Sequence, residues 1–317
     1  MRIAILEPLG ISREAMEAKT APLQAQGHTV TVYADRNPDP AELLRRSAGQ
    51  DAVVIANTPY PGEVIRACPE LKLIDVAFTG IDHVDMAACA AGKVTVCNAA
   101  GYSDAAVAEE AAGLALALYR KLAAGDAAVR AGGTSKGLMG REICGRTVGI
   151  LGTGRIGLRA AKLFQAFGAT VIACSRTRRE AALALGIRYV SLPELMAESD
   201  IVSVHVPNNA QTRGLVSREM IARMKPDAVL INCARGPVVD GAALAEALRE
   251  GRIAGAGIDV FDKEPPLPAD EPLLSAPNTV LMPHVGFLTE ESMLRRAEIV
   301  FGNLDAWLKG APVNVCG

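Results

Sequence analysis

Residues 147–164, TVGILGTGRIGLRAAKLF, constrain the fold of this chain more than any other stretch. Thr147–Leu151 is a short apolar run of the kind that forms a buried parallel strand, and Gly152-Thr153-Gly154-Arg155-Ile156-Gly157 follows it in the spacing GxGxxG. Beyond the glycines, Ile156, Ala160, Leu163, Phe164 and Phe167 recur at helical spacing and predict a helix with one apolar face. Strand, glycine turn and helix in this order form the dinucleotide-binding fingerprint. Gly152 serves the tight turn, Gly154 the approach of a pyrophosphate to the backbone, and Gly157 the close packing of helix on strand. The helix N-terminus adds unpaired N–H groups and the positive end of its dipole. Gly152, Gly154, Arg155, Ile156 and Gly157 are therefore candidate cofactor contacts.

The rest of the chain repeats the strand and helix alternation. In the first hundred residues, Ile3–Leu6, Val30–Tyr33, Ala52–Ile55, Leu73–Val76 and Lys93–Cys97 are strand candidates. Helices or turns are predicted at Ser12–Gln24, Pro40–Ser47 and Pro61–Cys68 between them. Asn98-Ala99-Ala100-Gly101 is a candidate hinge, and Ser103 and Asp104 can cap a long helix to about Leu122. An alanine-rich, polar stretch with Gly132-Gly133 then leads to the glycine turn. Further strands are predicted at Thr170–Cys174, Ile201–Val206, Ala228–Ile231, Ala256–Val260 and Thr279–Met282. The last helix, Thr289–Lys309, follows the final strand and is predicted to return to the first domain. The expected fold is α/β: two Rossmann-like domains with doubly wound parallel sheets, the N-terminal one discontinuous. Its segments are 1–98 with 288–317, a substrate domain, around a dinucleotide-binding domain at 99–287.

Composition excludes several classes. A net charge of −2 gives no electrostatic footprint for nucleic acid or an anionic membrane. The cysteine count is seven, odd and without a CxxC pair, which argues against a disulfide framework or zinc site and for a reducing, cytoplasmic setting. MRIAILEPLG runs straight into a strand with no cleavable signal, and no apolar stretch is long enough to span a bilayer. No metal is expected.

In an open α/β sheet, ligands bind beyond the carboxyl ends of the strands. Beyond these strand ends stand Arg235, Asp259, Glu264 and His284. Any one of them has an ordinary structural use, but four on the edge that carries the glycine turn suggest chemistry. Hydride transfer to a 2-oxo acid builds negative charge on the carbonyl oxygen, and a protonated histidine can donate to it. A neighbouring carboxylate orients an imidazole and favours its charged form. An arginine offers a planar fork to the substrate carboxylate. These roles fall on His284, Glu264 and Arg235.

At this point the sequence resembles a known family, the D-2-hydroxyacid dehydrogenases, over nearly its whole length. The resemblance rests on Phe78-Thr79-Gly80-Ile81-Asp82-His83-Val84-Asp85, Val107-Ala108-Glu109 and Gly152–Gly157. It continues through His205-Val206-Pro207-Asn208 with Thr212, Asn232–Asp240, Gly257–Pro265 and Pro283-His284-Val285-Gly286. It implies an Arg/Glu/His triad at Arg235, Glu264 and His284, and an active site in a cleft between the domains of a homodimer. It also implies that Asp259 holds the nicotinamide amide. His205, Val206, Pro207, Thr212, Cys233, Ala234, His284 and Gly286 would line the cofactor. Asn57, Thr79 and Gly80 would meet the substrate with Arg235 and His284, Thr79 and Gly80 through their backbone N–H groups.

Two departures carry information. After Thr170–Cys174, where NAD-preferring proteins place an acid for the ribose 2′-OH, stand Ser175-Arg176-Thr177-Arg178-Arg179. Ser175, Arg176 and Thr177 suit a 2′-phosphate, so NADP is the expected cofactor, with NAD the alternative. The loops Asn57-Thr58-Pro59-Tyr60 and Ala77-Phe78-Thr79-Gly80 lack the arginines that phosphoglycerate dehydrogenases of the family usually carry there. Asn98-Ala99-Ala100-Gly101-Tyr102-Ser103 instead resembles glycerate dehydrogenases and hydroxypyruvate reductases. The expected substrate is a small, unphosphorylated 2-oxo acid such as hydroxypyruvate or glyoxylate, with pyruvate and longer 2-oxo acids left open, since Tyr60, Tyr102 and Phe287 can shape the pocket. Phosphoglycerate or D-lactate chemistry, formate or phosphite oxidation, and a non-catalytic dinucleotide sensor are the competing expectations.

Overall fold

The structure is a computed structural model and describes residues 1–316. The chain forms two compact units: Met1–Ser103 together with the segment from Leu288 onward, and Asp104–Phe287.

The first unit holds a five-stranded sheet: β1 (Arg2–Ile5), β2 (Thr29–Val32), β3 (Ala52–Ile55), β4 (Leu73–Val76) and β5 (Thr95–Asn98), in the order β2-β1-β3-β4-β5. The second holds β6 (Thr147–Leu151), β7 (Thr170–Cys174), β8 (Arg188–Tyr189), β9 (Ile201–Val204), β10 (Val229–Asn232), β11 (Gly255–Ile258) and β12 (Thr279–Leu281). Their order is β12-β11-β10-β9-β6-β7-β8. Every strand pairing within both sheets is parallel. The central strands β3, β4, β9, β10 and β11 are buried along their whole length, which is why they read as mostly apolar runs rather than alternating ones. Each sheet has one switch point, between β1 and β3 and between β6 and β9, where the chain leaves to opposite sides.

Several predicted elements shift by a residue or two. β1 begins at Arg2 because its N–H is held by the Asp51 carboxylate at 2.8 Å. β5 starts only at Thr95, since Lys93 (φ 55°) caps the preceding helix Met86–Gly92 in the left-handed region. The helix predicted from Ser103 runs Asp104–Tyr119, and a second one, Leu122–Arg130, occupies the stretch read as a connection. No residue of that second helix is buried, so it has no core-facing stripe for a periodicity argument to find. The last helix, Glu290–Leu308, opens with a capping box between Thr289 and Ser292. It buries Met293, Ala297, Val300, Phe301 and Leu304 and packs on β4.

That packing carries a buried acid. Asp75 on β4 is fully buried, and Asn303 Nδ2 of the last helix donates to its Oδ1 at 2.9 Å. Its Oδ2 has no hydrogen-bond partner. Desolvation raises the carboxyl from 3.8 to about 7. An acid whose folded pKa lies above its unfolded value contributes less stability as pH rises between the two, because the unfolded chain releases the proton first. The span from 3.8 to about 7 corresponds to about 4 kcal/mol at most. Asp75→Asn is expected to remove this slope, so that urea unfolding at about pH 5 and about pH 8 differs less than in the parent. Parallel pH profiles would contradict the assignment.

Candidate active site

The glycine turn sits at the switch point of the second sheet. Gly152 follows β6 with φ 100°, and a Cβ there would lie 2.5 Å from the His205 carbonyl oxygen beyond β9. A Cβ on Gly157 would lie 2.0 Å from the Gly152 oxygen. Both approaches exclude a side chain. Gly154 is the N-cap of the helix Arg155–Ala166 and offers no side-chain cap, and the direction of its absent Cβ is open. The first N–H groups of that helix are thus left without a side-chain cap, beside open space at Gly154. Arg155 and Ile156 open the helix; the Arg155 guanidinium is tied to Asp104, Nε to Oδ2, at 2.5 Å.

Hydrogen bonds link the turn to the loop after β7. Thr153 Oγ1 accepts from the Tyr189 hydroxyl at 2.9 Å and donates to the Thr177 carbonyl at 3.4 Å. The same Tyr189 oxygen accepts the Arg179 N–H, while Arg178 lies over the Tyr189 ring at 5.8 Å. Arg176 is exposed and makes no hydrogen bond or ion pair among the described residues, with Ser175 beside it.

Beyond β9, the His205 Nε2 meets Ser203 Oγ at 2.8 Å, and burial pushes its pKa down to about 4. His205 is a neutral ring packed behind the glycines. Val206 and Pro207 follow, and Thr212 closes their loop, its hydroxyl donating to the Pro207 carbonyl at 2.5 Å and accepting the Asn209 N–H at 2.9 Å. Thr212 therefore holds the shape of this loop.

The ends of β10, β11 and β12, three neighbouring strands, carry the charged candidates. Asn232 closes β10 and braces the turn after it. Its Oδ1 accepts the Ala234 N–H and its Nδ2 donates to the Arg235 carbonyl, both at 3.0 Å. Arg235 Nη1 donates back to the Ala234 carbonyl at 2.8 Å, which fixes the base of the guanidinium. Cys233 is buried, and burial with the nearby Asp259 and Glu110 carboxyls holds its thiol well above the ordinary range. Asp259, also buried, accepts the Val285 N–H at 2.7 Å and the Gly286 N–H at 2.9 Å, and its carbonyl accepts the His284 N–H. It locks the turn in which His284 sits at φ 57°, a costly conformation for a residue with a side chain. The His284 Nδ1 meets both Glu264 oxygens, at 2.7 and 2.9 Å, and its ring meets Phe287 edge-on at 5.6 Å. The imidazole is thus fixed by a carboxylate on one nitrogen and by an aromatic edge.

In the first unit, Asn57 follows β3 at the switch point. The buried Glu7 holds its loop, Oε1 accepting the Ala56 N–H at 2.6 Å and the Thr58 N–H at 3.0 Å. Thr79 and Gly80 follow β4, where Asn98 Nδ2 donates to the Thr79 carbonyl at 2.8 Å. Two sequence expectations need correction here. Arg36, from the loop after β2, reaches the Asn57 loop, donating to the Asn57 carbonyl at 2.9 Å and to Thr58 Oγ1 at 3.1 Å, so a cation does stand there. Sequence could not show it, because the arginine comes from another connection. Tyr60 and Tyr102 are buried core residues, and the Tyr60 hydroxyl bonds Ser47 at 2.7 Å, so they are packing rather than an open pocket wall.

Among the described residues, no group of three or more His, Cys, Asp or Glu could hold a metal ion, and no helix is long and apolar enough to cross a membrane. Residues 112–286 match the family described as D-isomer specific 2-hydroxyacid dehydrogenase, NAD binding domain. A glyoxylate reductase of Thermofilum pendens is 39% identical over 284 residues, covering 87% of this chain and 84% of the relative. A D-3-phosphoglycerate dehydrogenase of Archaeoglobus fulgidus is 36% identical over 99% of this chain, which spans only 58% of that longer protein. The solved structure of an acyclic imino acid reductase (Bsp5), in complex with NADPH and D-Arg, has a TM-score of 0.90 at 28% identity and covers 100% of both chains. The glycine turn and the strand-end turns lie on a chain that belongs to the D-2-hydroxyacid dehydrogenase family and carries its NAD-binding domain.

Proposed function

We propose that the chain is an oxidoreductase that reduces a short, unphosphorylated 2-oxo acid of the glyoxylate or hydroxypyruvate type to the D-2-hydroxy acid. The observation that carries this is the pair of contacts from His284 Nδ1 to the Glu264 carboxylate, on the sheet edge that holds the glycine turn. A reduced nicotinamide dinucleotide, held by Gly152–Gly157 and Asp259, supplies the hydride. With Nδ1 engaged by Glu264, His284 presents Nε2 as the atom that donates the proton to the carbonyl oxygen and takes it back in the reverse direction. Arg235, its base fixed by Asn232 and Ala234, offers its fork to the substrate carboxylate. Asn57, Thr79 and Gly80 are the further substrate contacts in this proposal. Arg36 favours a second reading, a phosphorylated substrate, but its guanidinium already serves Glu7, Thr58 and the Asn57 carbonyl. Turnover of hydroxypyruvate against 3-phosphohydroxypyruvate separates the two; efficient use of the phosphorylated acid alone would overturn the first.

NADP is the proposed cofactor, on the strength of Arg176 and Ser175 in the place of an acid. The NADPH complex of the Bsp5 reductase is in keeping with that choice. One charge-assisted hydrogen bond is worth about 1.5–3 kcal/mol, so Arg176→Ala should cost about 10–100-fold in kcat/KM for NADPH and little for NADH. Equal kcat/KM for both cofactors in the parent enzyme contradicts the preference. The remaining parts of the proposal are a homodimer and a cytoplasmic setting. The helix Leu122–Arg130 buries nothing, and Leu122, Val129 and Met139 are exposed, which favours a second copy as their cover. Cys68, Cys89, Cys97 and Cys233 are buried as small apolar side chains, a use suited to a reducing compartment.

A further inference from the structure

Three neighbouring strands of the first sheet, β2, β1 and β3, end in loops that meet at one spot. Glu7 follows β1, Arg36 stands in the loop after β2, and Asn57 and Thr58 follow β3. Glu7 is buried and turns one oxygen to the backbone, Oε1 accepting the Ala56 N–H at 2.6 Å and the Thr58 N–H at 3.0 Å. Its Oε2 lies 3.7 Å from Arg36 Nε. That Nε donates to Thr58 Oγ1 at 3.1 Å, and Arg36 Nη2 donates to the Asn57 carbonyl at 2.9 Å. The peptide between Asn57 and Thr58 is thereby gripped from both sides, its C=O by a guanidinium and its N–H by a carboxylate. A planar trans peptide held at both polar ends cannot rotate without losing both bonds. The peptide that ends in the Ala56 N–H is held as well. The unit between them, which carries the Asn57 N–H, is therefore flanked by two fixed planes. Asn57 is half-buried between the buried Ala56 and Thr58, and its N–H and side-chain amide stay outside the brace.

A carboxylate as deeply buried as Glu7 is costly unless it is paired. Arg36 offsets that cost, and the charge of the buried Arg296 on the last helix also reaches Glu7. We propose that Glu7 and Arg36 are positioning residues, which hold the Asn57 turn so that its amide groups meet the 2-oxo acid in one geometry and do not touch the substrate themselves. The inference rests on the substrate reading above, in which Asn57 is a contact, and gives Arg36 a task other than binding a substrate phosphate. A turn held in this way adds binding that substrate and transition state share, so its loss raises KM and leaves kcat in place. A brace is also indifferent to substrate charge, whereas a guanidinium bound to the substrate is not.

The test is steady-state kinetics of the parent, Arg36→Ala, Glu7→Gln and the double variant on hydroxypyruvate, glyoxylate and 3-phosphohydroxypyruvate. Calorimetric titration of each protein with NADPH and NADH runs beside it. In Arg36→Ala, KM for hydroxypyruvate and for glyoxylate is expected to rise about tenfold in equal measure, with kcat and dinucleotide affinity within about twofold of the parent. Glu7→Gln keeps an acceptor for the backbone but loses the charge that faces Arg36, and should raise KM less. The double variant should fall short of the product of the two single effects, because the two side chains act as one brace. An unchanged KM in Arg36→Ala overturns the inference, as does a double variant that shows the full product. A loss confined to the phosphorylated acid also overturns it and makes Arg36 a direct substrate contact. A matching loss of kcat and dinucleotide affinity overturns it in favour of a general structural role. A parent protein that binds dinucleotide but reduces none of these acids contradicts the substrate reading itself, and the brace with it.

Discussion

Replacing His284 with alanine is expected to lower kcat by about 10²–10⁴, because the proposed proton donor is gone. The ring's Nδ1 faces Glu264 and its edge faces Phe287. Dinucleotide binding and thermal stability of the variant, measured beside kcat, separate loss of chemistry from loss of structure. Glu264→Gln keeps a hydrogen-bond partner but removes the charge, and should fall between the parent and His284→Ala. Parent-like turnover in His284→Ala under saturating substrate would remove the residue from the mechanism.

Arg235→Ala should act on both KM and kcat, since in the proposed mechanism one guanidinium binds the substrate carboxylate and polarises the carbonyl. Two charge-assisted hydrogen bonds at about 1.5–3 kcal/mol each correspond to a loss of about 10²–10⁴ in kcat/KM. Arg235→Lys should recover only part of this, because an ammonium is a point charge without the fork. Steady-state kinetics of the two variants on one 2-oxo acid check the point. A lysine variant equal to the parent would mean that the planar fork is not used. The braces on this turn, Asn232 to Ala234 and to the Arg235 carbonyl, remain in both variants, so the backbone stays in place.

What the sequence made legible follows from how parallel sheets are built. A buried strand such as Ala52–Ile55 is a continuous apolar run, and its edges could be read closely. The glycine turn was readable because strand, glycines and helix are contiguous in the chain. Arg235, Glu264 and His284 could be singled out because a parallel sheet delivers successive strand ends to one edge. The bond from Glu264 to His284, across twenty residues of sequence separation, followed from chemical reasoning about what a histidine acid needs and from the family resemblance.

The illegible parts share a different cause. Arg36 reaches the Asn57 loop from another connection. Such long-range meetings leave no local pattern. Asp75 looked like one polar residue in a strand, and only the arrival of Asn303 makes it a buried acid with a partner. The helix Leu122–Arg130 escaped because its apolar residues face away from any core of its own chain. Tyr60 and Tyr102 sit beside candidate loops in sequence, yet both turn inward.

The most direct test of the central claim is the absorbance of reduced nicotinamide when purified protein is mixed with NADPH, or NADH, and hydroxypyruvate. The predicted result is consumption of the reduced cofactor in equal measure with formation of D-glycerate, abolished or nearly so in His284→Ala. If neither cofactor is consumed with hydroxypyruvate, glyoxylate or any other 2-oxo acid, while dinucleotide still binds, the Arg235, Glu264 and His284 chemistry is contradicted and a sensor of the bound cofactor takes its place.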